Sequence, residues 1–164
     1  APTRGLMGYT SRFLTLTKGT GVINRIFHGY GKFEGEMDGR KNGALISMAN
    51  GKAVAFAIFN LQARGEMFVT HNDPVYEGMI VGLAPKPGDM IINVMKGKQL
   101  TNMRTQGTDE NVVLTPVRQM SIAEQLSMLN TDEALEITPK SLRLRKAILN
   151  PTDRKKNEKS GTPL

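Results

Sequence analysis

The sequence predicts an α+β fold: a short helix–strand segment, a β-rich barrel-like region, a long basic loop, and C-terminal helices. Three observations predict it. Apolar residues recur at helical spacing near both ends of the chain. Between Ala44 and Met95, short runs rich in Val, Ile and Met follow one another, punctuated by Gly, Pro, Asn and Asp, as strands of a barrel or curled antiparallel sheet do. The fifteen residues from Lys96 to Glu110 then break this pattern with almost nothing apolar.

Leu6, Tyr9, Phe13 and Leu16 fall on one face of a helix, which Gly19 and Gly21 stop. Val22–Phe27 reads as a strand. One helix and one strand cannot bury their own apolar faces, so residues 1–33 read as the last part of a larger α/β domain. Ala1 is not an initiator methionine, and the chain reads as a fragment. Glycine-rich sequence from Gly29 to Gly43 marks a hinge. Ala44–Ala49 and Lys52–Phe56 flank Asn50-Gly51, a two-residue hairpin signal. Ile58–Arg64 reads as a short helical turn stopped by Gly65. Glu66–Thr70, Val75–Tyr76, Met79–Ala84 and Met90–Met95 read as short strands.

After Pro116 the pattern turns helical. Ser121 and Glu124 have capping-box spacing, with Ile122, Leu126 and Leu129 as the expected buried stripe. Leu135–Ile137 reads as a short strand. Thr138-Pro139 reads as a helix start, with proline at the first helical position, opening a helix to about Leu149. A frayed tail is expected over residues 157–164.

The charge balance points to a polyanionic partner. Twenty-two Lys and Arg against fifteen Asp and Glu leave a net charge of +7. Lys96, Lys98 and Arg104 lie in the loop before its first acid, Asp109, among the hydrogen-bonding side chains of Gln99, Thr101, Asn102 and Thr108. A loop of this length between strands is either functional or merely solvated. Its residue types suit phosphate and base contacts. Residues 140–159 carry eight cations against two acids. Arg143, Arg145, Lys146, Arg154, Lys155 and Lys156 there form a possible second basic surface; the alternative is a solvated helix face. Aromatic residues are only 5% and there is no Trp, so stacking platforms are few and RNA recognition would lean on phosphates, 2′-hydroxyls and shape.

Other chemistry is not indicated. There is no Cys, which excludes disulfides and thiolate sites. The Gly-Lys pairs at Gly31, Gly51 and Gly97 have Ile26, Ile46 and Ile92 where a phosphate loop needs its first glycine. No catalytic constellation or metal-ligand spacing is found. His28 and His71 read as surface or satisfied histidines, and Asp132, Glu133 and Glu136 as a solvated turn beside the basic helix. Apolar runs are too short to cross a bilayer, and no signal peptide is recognisable. The chain reads as soluble and cytoplasmic.

Several stretches resemble one family: PTRGLMGYTSRFLTLTKGTG, GRKNGALIS, GKAVAFAIFNLQARG, VYEGMIVG, KGKQLTNMRTQGTDE and ITPKSLRLRK. They resemble the C-terminal part of the TypA/BipA translational GTPases, from about Pro2 to Lys156, and the loop is the most specific of them. The resemblance implies that residues 1–33 are the closing helix and strand of an elongation-factor-G-type domain V, a ferredoxin-like fold. Residues 34–164 would be the family's C-terminal domain. GTP and Mg²⁺ would belong to an upstream domain of the longer protein, with no cofactor in this chain.

The implied partners are the ribosome (50S and 70S), 23S rRNA near the peptidyl-transferase centre and the acceptor end of A-site tRNA. The implied contacts are Lys96, Lys98, Gln99, Thr101, Asn102, Arg104 and Thr108. The implied roles are 50S assembly and adaptation to cold and stress. Asn130-Thr131 and Pro74 depart from the family pattern, where acidic residues are common. A second reading is a protein-interaction module that positions the GTPase domain. The longer protein is expected to be monomeric, whereas exposed apolar surface on residues 1–33 could pair two copies of this chain.

Overall fold

The computed structural model describes residues 1–6, 9–33, 35, 40–97, 113–117 and 120–160. Its centre is a strand buried on both faces, β1 (Ala44–Ser47). Along β1 the side chains alternate between two apolar clusters. Leu45 enters one with Ile58, Leu61, Val81 and Val94, and Ala44 and Ile46 enter the other with Ile80 and Leu144. Both edges of β1 are also taken. It pairs antiparallel with β5 (Ile80–Leu83) and parallel with β6 (Met90–Ile92). Two further elements precede these in the chain, β2 (Gly51–Lys52) and α2 (Ala55–Gln62), and after them come β3 (Glu66–Met67) and β4 (Pro74–Val75). The four-stranded sheet has the order β3-β5-β1-β6. It is α+β as expected, but it stays open: the described strands close no barrel.

Because both edges of β1 are occupied, Asn50-Gly51 cannot fold β2 back onto it. β2 pairs instead with β4, in the register Gly51↔Val75. Asn50 turns its side chain to other work, accepting the Glu77 N–H at 2.8 Å. The expected strand Lys52–Phe56 is correspondingly short, because α2 begins at Ala55 rather than at Ile58. Val54 lacks a capping side chain, and the Ala55 N–H is met by Nδ1 of His71 at 3.2 Å, so His71 is a satisfied histidine. Ala57, Ile58 and Leu61 pack α2 on one face of the sheet.

The other face is covered by α3 (Ile122–Ser127), β7 (Glu133–Ile137) and β8 (Leu142–Lys146). Leu144, Leu135, Leu129 and Met120 fill that side. The capping box of Ser121 and Glu124 is formed in both directions. The expected stripe of α3 is not what is buried: Ile122 and Leu126 are exposed, and Gln125 is the buried residue of the helix.

The largest correction is at Thr138-Pro139, which opens a hairpin turn rather than a helix. Thr138 Oγ1 accepts the Ser141 N–H at 3.0 Å, and the Thr138 N–H donates to the Ser141 carbonyl at 2.9 Å. β8 then runs back along β7, with Leu135↔Leu144 and Glu136↔Arg143 in register. Its alternation Leu142, Arg143, Leu144, Arg145 has a period of two, not 3.6. The terminal helix comes later, as α4 (Pro151–Ser160). Asn150 caps it, accepting the Thr152 N–H at 2.8 Å, and Pro151 supplies the first helical position. Residues 157–160, expected to fray, belong to this helix.

Near the N-terminus, a 3₁₀ turn (Thr3–Leu6) leads to α1 (Tyr9–Leu16), as the spacing predicts. The helix ends through Lys18 and Gly19, both at positive φ, with the Gly19 N–H on the Leu14 carbonyl at 2.7 Å. Val22–Phe27, expected as a strand, pairs with none of the described strands. Ile26 is 92% exposed and Tyr30 fully so. A lone segment has no ladder to complete its backbone hydrogen bonds.

Candidate nucleic-acid interface

Of the seven loop residues singled out, the structure describes Lys96. Lys98, Gln99, Thr101, Asn102, Arg104 and Thr108 lie outside the described residues. The two roots of that segment are nevertheless well defined. On the outgoing side, Val94 is fully buried beneath α2 and its carbonyl accepts the Val54 N–H at 2.9 Å. Asn93 closes the next turn by accepting the Met95 N–H at 2.9 Å, and the chain emerges at Lys96. On the returning side, Gln62 at the end of α2 grips Thr115 through both amide atoms. Its Nε2 donates to the Thr115 carbonyl at 3.0 Å and its Oε1 accepts the Thr115 N–H at 3.2 Å. The two roots are thus tied to opposite ends of α2, one at its N-cap Val54 and the other at its last residue, Gln62.

Beside the outgoing root lies a groove of about 550 Å³ between α2 and β6. Phe56, Leu61 and Ile91 supply its apolar wall, and Asn60, Arg64, Asn93 and Lys96 its polar rim. Among the described residues no carboxylate lines it. The described lining of the groove therefore presents positive charge and amides, a pattern suited to a polyanion.

The second basic surface is divided by the fold. Lys146, one of its expected members, is 2% exposed. Its ammonium meets Asp89 at 2.5 Å, Asp132 at 2.6 Å and Glu133 at 3.0 Å. Glu133 is equally enclosed, and Arg40 grips it with two bonds, at 2.7 and 3.1 Å. Lys146 therefore belongs to a buried ionic network, not to a surface. Asp132 and Glu133 likewise do not form a merely solvated turn: each holds this cation, and Glu133 does so with its side chain wholly buried.

Electrostatics within the network are mutual. Burial pushes the Asp89 carboxyl up, but the Lys146 bond, the Ala44 N–H and the charges of Lys146 and Arg40 outweigh it and leave the group below its ordinary range. Burial pulls the Lys146 ammonium down, and its bonds to Asp132, Asp89 and Glu133 more than restore it. Burial also raises the Tyr76 phenol, and its bond to Glu136 at 2.6 Å adds to that, bringing it to about 12.

The remaining cations of this region sit on β8 and α4. Arg143 lies 3.9 Å from Glu136. Arg145 donates to the carbonyl of Lys146 at 3.1 Å, and Arg154 to that of Leu149 at 2.6 Å. Lys155 is exposed, and Lys156 pairs with Asp153 at 3.5 Å in the open. The signal that could have separated Lys146 from the others is again the period-two alternation, which puts it on the inward side with Leu144.

The phosphate loop is lacking, and no group of three His, Asp or Glu among the described residues is arranged to hold a metal. Nor is any helix among the described residues long and apolar enough to cross a membrane.

A family model described as the TypA/BipA C-terminal domain matches residues 42–151. Among curated relatives, the large ribosomal subunit assembly factor BipA of Buchnera aphidicola is 46% identical over 162 residues, 98% of this chain and 27% of that protein. The protein of the same name from Salmonella typhimurium is 47% identical over 156 residues, 94% of this chain and 26% of its own length. That of Haemophilus influenzae is 42% identical over 162 residues, 98% of this chain and 26% of its own. The chain spans about a quarter of the length of these relatives.

Proposed function

Since the chain belongs to the TypA/BipA family and corresponds to its C-terminal part, we propose that it is the ribosome-binding module of a GTPase acting in large-subunit assembly. In this reading Lys96, Lys98 and Arg104 neutralise rRNA phosphates, while Gln99, Thr101, Asn102 and Thr108 set the register by directional hydrogen bonds. The single observation that carries it is that the two ends of a basic, amide-rich segment are tied to the N-cap and the last residue of α2, beside a groove lined by no acid among the described residues. A loop anchored in this way presents its cations from a fixed base.

Finer assignments follow the family: 23S rRNA near the peptidyl-transferase centre and the acceptor end of A-site tRNA as contacts, a cytoplasmic setting, and adaptation to cold and stress. GTP hydrolysis with Mg²⁺ is assigned to regions of the longer protein outside this chain, with residues 1–33 closing a domain V and residues 34–164 forming the C-terminal domain. Arg143, Arg145, Arg154, Lys155 and Lys156 form the second RNA-facing surface. The longer protein acts as a monomer.

The test is co-sedimentation of the chain with 50S and 70S particles across a salt series, beside Lys98→Ala/Arg104→Ala. Binding that falls with salt and is lost in the variant, at unchanged thermal stability, supports the loop. Equal binding by the variant at physiological salt refutes it. The exposed Val22, Ile26, Phe27 and Tyr30 favour a second reading, a protein-docking module, for which binding would be insensitive to salt.

A further inference from the structure

The groove beside the loop root has more definition than a charged patch. Asn60 Nδ2 donates to the Phe56 carbonyl at 2.8 Å, which leaves its Oδ1 as an acceptor on the rim. Asn93 Oδ1 accepts the Met95 N–H, which leaves its Nδ2 as a donor. Neither of these two atoms has a partner among the described residues. The lining of the groove thus combines an open amide acceptor on Asn60 and open N–H donors on Asn93 with the apolar side chains of Phe56 and Ile91. Arg64 is exposed and makes no side-chain hydrogen bond or ion pair to a described residue, and Lys96 stands at the same rim.

Adjacent donor and acceptor groups are what the exposed edge of an unpaired base presents, an aromatic wall takes its face, and cations take the phosphates on either side. A base held in a duplex could not enter a concave site, and its edge would already be paired. The volume lies within the range of small-ligand sites.

We propose that this groove receives one unstacked nucleotide of single-stranded RNA, set against Phe56 and Ile91. Asn60 and Asn93 read its edge, and Arg64 and Lys96 hold its flanking phosphates. The proposal rests on the RNA-binding reading and adds to it a seat for a base.

The experiment uses the full chain and two fluorescein-labelled probes, hexa-adenylate and an abasic backbone of the same length, with anisotropy as the readout at low salt. Hexa-adenylate should bind about tenfold tighter, in keeping with one stacked base. Asn60→Ala/Arg64→Ala should reduce that preference to near unity. Lys98→Ala/Arg104→Ala should weaken both probes and keep the ratio. Both pocket positions are exposed, so unfolding of the variant should match the wild type. Equal, salt-sensitive binding of the two probes by the wild type overturns the base seat and leaves the RNA reading standing. No binding of either overturns both. Displacement of hexa-adenylate by adenosine monophosphate at a matching affinity overturns RNA as the occupant.

Discussion

Arg40 and Glu133, 93 residues apart, face each other as a two-bond ion pair, Nη2 to Oε1 at 2.7 Å and Nη1 to Oε2 at 3.1 Å. The arginine also donates to the carbonyls of Asn42 and Met128, at 2.6 and 3.1 Å. One side chain therefore fastens the start of the β-rich region to the end of α3 and the head of β7. Breaking such a pair from one side leaves a charge in the interior. Arg40→Met should lower stability by about 3–5 kcal/mol, read from urea unfolding. Arg40→Met/Glu133→Leu should cost clearly less than the two single changes added together. Simple additivity would show that the two residues are not coupled.

Stability should fall at both pH extremes because of the Lys146 network. The folded Asp89 pKa is depressed, so its contribution is complete above the ordinary value of 3.8 and is lost as pH falls through the lower folded value. The folded Lys146 pKa is raised, so its contribution is complete below the ordinary 10.5 and is lost as pH rises through the higher folded value. Asp89→Asn should flatten the acid limb and Lys146→Met the alkaline one, with thermal midpoints followed across pH. An alkaline limb unchanged by Lys146→Met would remove the ammonium as its cause.

Gly78 has φ +83°, and a Cβ there would stand 2.7 Å from the Leu149 Cα. Its carbonyl also accepts the Lys146 N–H at 2.9 Å, linking the main sheet to β8. Gly78→Ala should therefore cost about 1–3 kcal/mol, from strain at a left-handed position together with displacement of Leu149. A loss below about 0.5 kcal/mol in urea unfolding would mean that this junction yields freely.

The local signals that survived are those whose physics is local. The capping box at Ser121 and Glu124, the helix stop at Lys18 and Gly19, and the apolar runs of β1, β5 and β6 depend on neighbours a few residues away. Asn50-Gly51 misled because its hairpin needed an edge of β1 that β5 and β6 already fill. Thr138-Pro139 misled because a proline after threonine suits a turn as well as a helix start, and β7 decides between them by offering Leu144 a partner. Acids and bases were hardest to place. Nothing near Glu133 or Lys146 in the sequence says that Arg40 and Asp89 arrive beside them.

By itself, then, the sequence determined the α+β class, most strands and the excess of positive charge, which follow from composition and short-range periodicity and need no three-dimensional partner. The family was legible only through stretches that resemble those of its members. Only the tertiary structure decided which strand pairs with which, which cations are buried and which remain available to a polyanion, and that a groove opens beside Lys96. Those outcomes depend on contacts between residues tens of positions apart, where burial and competition for a common partner outweigh local preference.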